Sequence, residues 1–147
     1  ITVTAWAYRT AYHNVDIFGH GYPPIFFGFH GSTNFKWQIQ NENYDLASCY
    51  ADTKYKPLLN TWYHLAGTFD GQTARLYLDG EEICTVAYPE GGHTINTPSN
   101  KSYSISGYYH DDGVTIEDEI TGMIDDVRVY NKVLSLAEIQ TIYNEGK

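Results

Sequence analysis

Asp70-Gly71 and Asp79-Gly80 punctuate one stretch of alternating apolar residues, and this constrains the chain more than anything else in it. Asp-Gly pairs supply the positive φ that tight hairpin turns demand. Before the first pair, Tyr63, Leu65 and Phe69 share one face, with Gly67 between them. Between the pairs, Leu76 and Leu78 mark the inward face of a second strand. Ile83 to Ala87 follows as a third. A period of two with turns of this kind makes an antiparallel meander.

The same period runs through most of the chain. Ile1, Val3, Ala5 and Ala7 share a face. Val15 to Phe18, Ile25 to Phe29, Phe35 to Gln40 and Leu46 to Tyr50 read as further strands. Tyr88 to Asn100 is rich in Pro, Gly, Asn and Thr and reads as a loop. Ser102 to Tyr108 reads as one strand, His110 to Glu119 as an acidic loop, and Gly122 to Tyr130 as the last long strand. A helix is expected only near the end. Ser135 is its N-cap, Glu138 completes a capping box, Leu134 and Ile139 form a hydrophobic staple, and Gly146 ends it. The expected fold is all-β: a two-sheet antiparallel β-sandwich or jelly roll with one short C-terminal helix.

At 147 residues the chain is read as a single domain over 1–147, large enough for a real core. Its net charge of −9 argues against nucleic acid, which calls for a basic stripe, and against anionic lipid. No apolar run approaches the roughly 20 residues of a membrane span. The balance suits an extracellular or cell-surface protein, or one that gathers divalent cations. Tyrosine supplies 14 of the aromatic residues, which suits surfaces apolar on one side and wet on the other, as well as strands in general. Cys49 and Cys84 both fall in strand-like segments. A bridge and two buried thiols are both open.

Two stretches carry a family resemblance. One pattern appears as Trp62, His64, Ala66, Thr68, Asp70, Gly71, Leu76, Tyr77, Asp79 and Gly80; the other as Gly122, Ile124, Asp125, Asp126, Val127, Arg128, Tyr130, Leu134, Ser135, Glu138 and Ile139. Together they resemble laminin-G-like, concanavalin A-like lectin jelly-roll domains, and the closing segment also resembles the C-terminal helix of pentraxins. Such domains usually carry one or two strands before the first motif. The resemblance therefore implies a domain lacking its first strands, with an edge open or filled by another segment. Pentraxins bind calcium through an Asp-Asn pair in an early loop and an acidic later loop. Gly19 to Pro24 carries no such pair, so only the later loop has a counterpart here.

That acidic loop is the first candidate site. Asp111, Asp112, Glu117, Asp118 and Glu119 could supply hard oxygens to calcium, or form a solvated loop. Asp125 and Asp126 are a second metal candidate. Strict alternation places Asp125 with Met123, Val127 and Val129 on the core side, where a carboxylate needs a partner or a metal. Asp126 falls beside Arg128 and can pair with it. The third candidate is Tyr108, Tyr109 and His110: rings stack on sugar C–H faces, and nearby carboxylates accept from hydroxyls. Trp37 and Tyr44 are further ligand-contact candidates. Trp62 and His64 are expected to be structural, as in the resembling domains.

The carboxylate signature of related glucanases is absent, and no Ser-His-Asp arrangement stands out. The expectation is a non-catalytic lectin-like module of a larger secreted or surface protein, binding glycan or surface polysaccharide at loops of one rim with calcium nearby. The alternative is a structural or adhesive assembly module, engaging other protein subunits through the sandwich surface or an open sheet edge.

Overall fold

The computed structural model describes residues 1–20, 25–88, 93–95, 102–109, 112 and 114–146. The strands are β1 (Thr2–Arg9), β2 (Val15–His20), β3 (Ile25–His30), β4 (Asn34–Gln40), β5 (Leu46–Tyr50), β6 (Trp62–Phe69), β7 (Thr73–Leu78), β8 (Glu81–Ala87), β9 (Tyr103–Ile105), β10 (Tyr108–Tyr109), β11 (Ile116–Glu117) and β12 (Gly122–Tyr130). A 3-10 turn (Thr53–Tyr55) precedes β6, and among the described residues the one α-helix, α1 (Leu136–Glu145), follows β12. Sheet A runs β12-β1-β6-β7-β8 and sheet B runs β5-β4-β3-β2-β9, with β10 and β11 as a separate two-stranded ribbon. All the pairings are antiparallel. The expected sandwich with one C-terminal helix is the fold.

The core lies between the sheets. Val3, Ala5, Ala7, Leu65, Phe69 and Leu76 meet Ile17, Phe27, Phe29, Phe35, Trp37 and Ile39. Trp37 is its largest wholly buried side chain. Its ring occupies the space that a side chain at position 67 would need: a Cβ on Gly67 would lie 2.5 Å from Trp37 Cδ2. The indole N–H donates to the Thr68 carbonyl oxygen at 2.9 Å, so this polar atom is satisfied inside the core. Cys49 on β5 and Cys84 on β8 form a disulfide that ties one sheet to the other.

The hairpin between β7 and β8 turns on Asp79 and Gly80, both at positive φ, as the sequence requires. Asp79 Oδ1 also accepts the His64 N–H, which pins the turn to β6. At the other turn only Gly71 has positive φ, and Asp70 Oδ1 accepts the N–H groups of Gln72 and Thr73.

Helix α1 starts as expected. The Ser135 side chain accepts from the Glu138 N–H, and the Glu138 carboxylate accepts from the Ser135 N–H. Leu134, Ile139 and Ile142 pack with Ala66 and Tyr77 on the outer face of sheet A.

Two expectations fail on local geometry. The strand expected over Ser102 to Tyr108 is broken, because Ser106 and Gly107 take positive φ and separate β9 from β10. Asp125 does not face the core. In the register of β1 and β12, Thr4 opposes Arg128 and Trp6 opposes Asp125, so one residue of β1 spans two of β12. Asp126 takes φ 49° at this bulge. An extra residue reverses the alternation. Ile124 and Val127 therefore pack against the core, while Asp125 is exposed on the outer face beside Trp6.

Candidate functional site

The described residues among those singled out from the sequence do not form one site. Tyr108 is buried against sheet B, edge-on to Phe26 at a centroid distance of 5.2 Å. Its hydroxyl donates to Glu117 Oε2 at 2.7 Å. Burial, and then this carboxylate, raise its pKa above the usual phenol value. Tyr109 is half-buried in the ribbon. Tyr44 is exposed and left-handed in the turn between β4 and β5, at the opposite edge of sheet B from β9. Trp37, expected as a ligand contact, is instead a core residue. It is wholly inside the sandwich and offers no surface to a ligand. His110 and Asp111 lie outside the described residues.

The carboxylates of the acidic loop turn to separate protein donors. Asp112 Oδ1 accepts from the N–H groups of Val114 and Thr115. Glu117 holds the Tyr108 hydroxyl. Asp118 lies 3.7 Å from Lys36 Nζ. Asp125 and Asp126 are on the other sheet, with Asp126 Oδ1 receiving Arg128 Nε at 2.8 Å. Among the described residues, no three His, Cys, Asp or Glu side chains converge as calcium ligands would.

Lys36 belongs to a buried charge cluster under the ribbon. Its ammonium is 3.1 Å from Asp16 Oδ1 and lies over the Phe26 ring at 5.0 Å. Burial drives the Asp16 pKa up to about 7, opposed by Lys36 and reinforced by Asp118. Asp16 has no exposed surface, so this cluster holds the ribbon rather than a ligand.

The arrangement best suited to a ligand is on the outer face of sheet A. Three strands lie side by side there. In one row Met123, Tyr8 and Trp62 are register partners; in the next, Asp125, Trp6 and His64. Helix α1 covers the end of the second row, with Tyr143 stacked on Trp6 at 5.7 Å. The C-terminal residue of this cap, Gly146, sits against the Trp6 indole so closely that a Cβ would collide with Nε1. What remains open is a cleft of about 510 Å³ lined by Trp6, Trp62, Asp125, Asp126 and Gly146. Trp62 is 40% exposed and packs against Tyr8 at 5.5 Å.

His64 lies beneath this cleft, 1% exposed, with neither ring nitrogen hydrogen-bonded. Burial holds its pKa down to about 4, with Asp126 pulling the other way and Arg128 adding to the fall. The ring is therefore neutral near pH 7, an aromatic support for Trp6 at 5.3 Å. Sequence reasoning placed Trp62 with His64 as structural. The missed signal was parity. Trp62, His64, Trp6 and Tyr8 share the face opposite the core residues Leu65, Ala5 and Ala7, and the bulge turns Asp125 to that same face.

A family model described as the concanavalin A-like lectin/glucanases superfamily matches residues 1–140. No curated protein sequence matches the chain. Solved structures match along nearly its whole length. A Bacteroides ovatus protein is 18% identical at a TM-score of 0.71, over 95% of this chain and 39% of that one. The CBM40 of a Ruminococcus gnavus IT-sialidase, bound to α2,3-sialyllactose, is 15% identical at 0.73, over 97% of this chain and 81% of that one. Domain 4 of AbnA, an extracellular arabinanase from Geobacillus stearothermophilus in complex with arabinotriose, is 16% identical at 0.62, over 97% and 65%. The chain thus spans well under half of the Bacteroides ovatus protein. At these identities the likeness is one of fold.

Proposed function

We propose, for a chain that belongs to the concanavalin A-like lectin/glucanases superfamily, that it is a glycan-binding module of a secreted or surface protein and takes sugar in the cleft between Trp62 and Asp125. The observation that carries this reading is an exposed indole beside an exposed carboxylate in a cleft of about 510 Å³. The Trp62 face stacks on the C–H face of a sugar ring, and Tyr8 holds it from behind. Asp125 accepts from sugar hydroxyls. That solved structures of the same fold hold sialyllactose and arabinotriose supports a saccharide as the class of ligand.

The module is read as non-catalytic. Hydrolysis of a glycosidic bond calls for two carboxyl groups across the bond. Here Asp126 is held by Arg128 at 2.8 Å, which leaves Asp125 without an uncommitted partner in the cleft lining. The reading routes through no cation. Saccharide binding is expected to persist in a chelator, and its loss there would bring the proposal of calcium at the 111–119 loop back into the site.

The test is a glycan array followed by calorimetry on wild type and Trp62→Ala. Saturable binding weakened at least about tenfold by the substitution is expected, taking as the scale the about 1–3 kcal/mol that a nucleobase gains by stacking on an aromatic side chain. Binding indifferent to Trp62 would move the site elsewhere.

A second reading has its own observation. Tyr103, Ile105, Val114 and Ile116 are all exposed along β9 and the adjoining ribbon. An apolar strip at a sheet edge suits contact with another protein subunit. A concentration-dependent oligomer in sedimentation, abolished by Ile105→Lys, would favour that assembly role.

A further inference from the structure

The electrostatics of the cleft narrow the ligand further than saccharide. Asp125 is exposed, and among the described residues it accepts one hydrogen bond, from the N–H of Asp126 at 2.8 Å. No described cation pairs with it. Arg128, on the same strand, is already shared between Asp126 at 2.8 Å and Glu145 at 3.6 Å. Among the described residues the cleft lining holds two carboxylates, Asp125 and Asp126, and no cation, on a chain whose net charge is −9. Anionic groups are therefore repelled from the cleft. A cation meets an unpaired carboxylate on one side and an indole face on the other, the two groups that together attract an ammonium.

The spacing suits a saccharide that carries such a cation. Trp62 and Asp125 are two strands apart and one side-chain row apart, which places their backbones roughly 10–12 Å from one another. Side chains reaching inward from that separation bracket one or two sugar rings. Resting on the glycan-binding reading above, we propose that the cleft selects an amino sugar: a de-N-acetylated hexosamine whose ring stacks on Trp62 and whose ammonium meets Asp125. Its acetylated counterpart binds more weakly, and sialylated glycans do not bind.

The experiment uses three probes at mildly acidic pH, where the amine is protonated: a glucosamine tetramer, the matching N-acetylglucosamine tetramer, and sialyllactose. Each is titrated by calorimetry into wild type, Trp62→Ala and Asp125→Asn. Asp125 is exposed, so the Asn variant retains the fold; circular dichroism verifies this for both variants. The expected result is at least a tenfold preference for the glucosamine tetramer, reduced to twofold or less by Asp125→Asn and at higher salt. Sialyllactose should give no heat. If both tetramers bind equally and depend on Trp62, the cleft is a sugar site but the ammonium assignment is overturned. Sialyllactose binding as tight as the glucosamine tetramer, lost in Trp62→Ala, overturns it in the same way. If no probe binds in a Trp62-dependent manner, the sugar site itself fails and the assignment with it.

Discussion

Asp16 Oδ1 lies 3.1 Å from Lys36 Nζ, and both side chains are almost wholly withdrawn from water. Lys36 opposes the burial of Asp16 by its charge and by a hydrogen bond, while Asp118 adds to it. Burial outweighs Lys36, and the carboxyl titrates at about 7 in the fold against 3.8 when unfolded. Between those values the folded protein holds a proton that the unfolded chain has released. Stability contributed by this site therefore falls as pH rises from about 4 to about 7. Asp16→Asn removes the titration while keeping the shape, and leaves Lys36 its contact with Asp118. Urea unfolding across this range should show that falling component in wild type and not in the variant. Its size should be on the order of a few kcal/mol. A variant with an unchanged pH profile would place the titration elsewhere.

His64 acts in the opposite direction over an overlapping window. Its folded pKa of about 4 lies below the unfolded 6.5. The unfolded chain takes up a proton that the buried ring refuses, so stability rises with pH across that interval and is fully present above 6.5. The two groups partly cancel in wild type. His64→Phe keeps an aromatic ring against Trp6 and Tyr143 and removes two nitrogens that have no hydrogen-bond partner. Thermal melts of this variant should match or exceed wild type near pH 5 and show the steeper fall due to Asp16. A variant that melts much lower at every pH would show that the nitrogens make contacts through bound water.

Much of this was legible in the sequence, because period-two patterning and turn residues act locally. The Asp79-Gly80 turn, the capping box at Ser135 and Glu138, and the core face of β6 follow from neighbours in the chain. The break at Ser106 and Gly107 is local, but the failures that bear on the site are non-local. Alternation along Met123 to Val129 cannot place Asp125, because a bulge is a property of two strands in register. Trp37 reads as a ligand-contact candidate in the sequence because the void that accepts it is created by Gly67 on the other sheet. The Trp62 cleft needs β12, β1, β6 and the end of α1 together.

The Cys49–Cys84 disulfide joins residues 35 apart in sequence, on strands of different sheets. A bridge closing a loop of that length restricts the unfolded chain by about 3–4 kcal/mol in the chain-entropy account. Cys49→Ala with Cys84→Ala should lower the unfolding free energy by that order and the melting temperature by roughly 10 °C. The β6–β7 hairpin and α1 do not depend on the bridge, so the folded variant should keep its far-ultraviolet spectrum. Reduction of wild type by a thiol should reproduce the loss. A change well under 1 kcal/mol would mean that the packing of the two sheets already holds the unfolded chain compact.

Gly67 and Trp37 form one packing unit and should behave as one under mutation. Alanine at 67 adds a methyl group that would sit 2.5 Å from the indole, and the indole cannot retreat without losing the Thr68 carbonyl oxygen. Gly67→Ala should therefore cost about 1–3 kcal/mol, although a strand interior ordinarily favours alanine over glycine. Trp37→Leu alone should cost several kcal/mol, from the cavity and from the unpaired carbonyl. The double variant should be less destabilised than the sum, because leucine vacates the space that the alanine methyl needs. A double-mutant cycle by chemical denaturation measures the difference, and about 1 kcal/mol or more of favourable coupling is expected. Strict additivity would show that Gly67 is required by the backbone of β6 rather than by the ring packed against it.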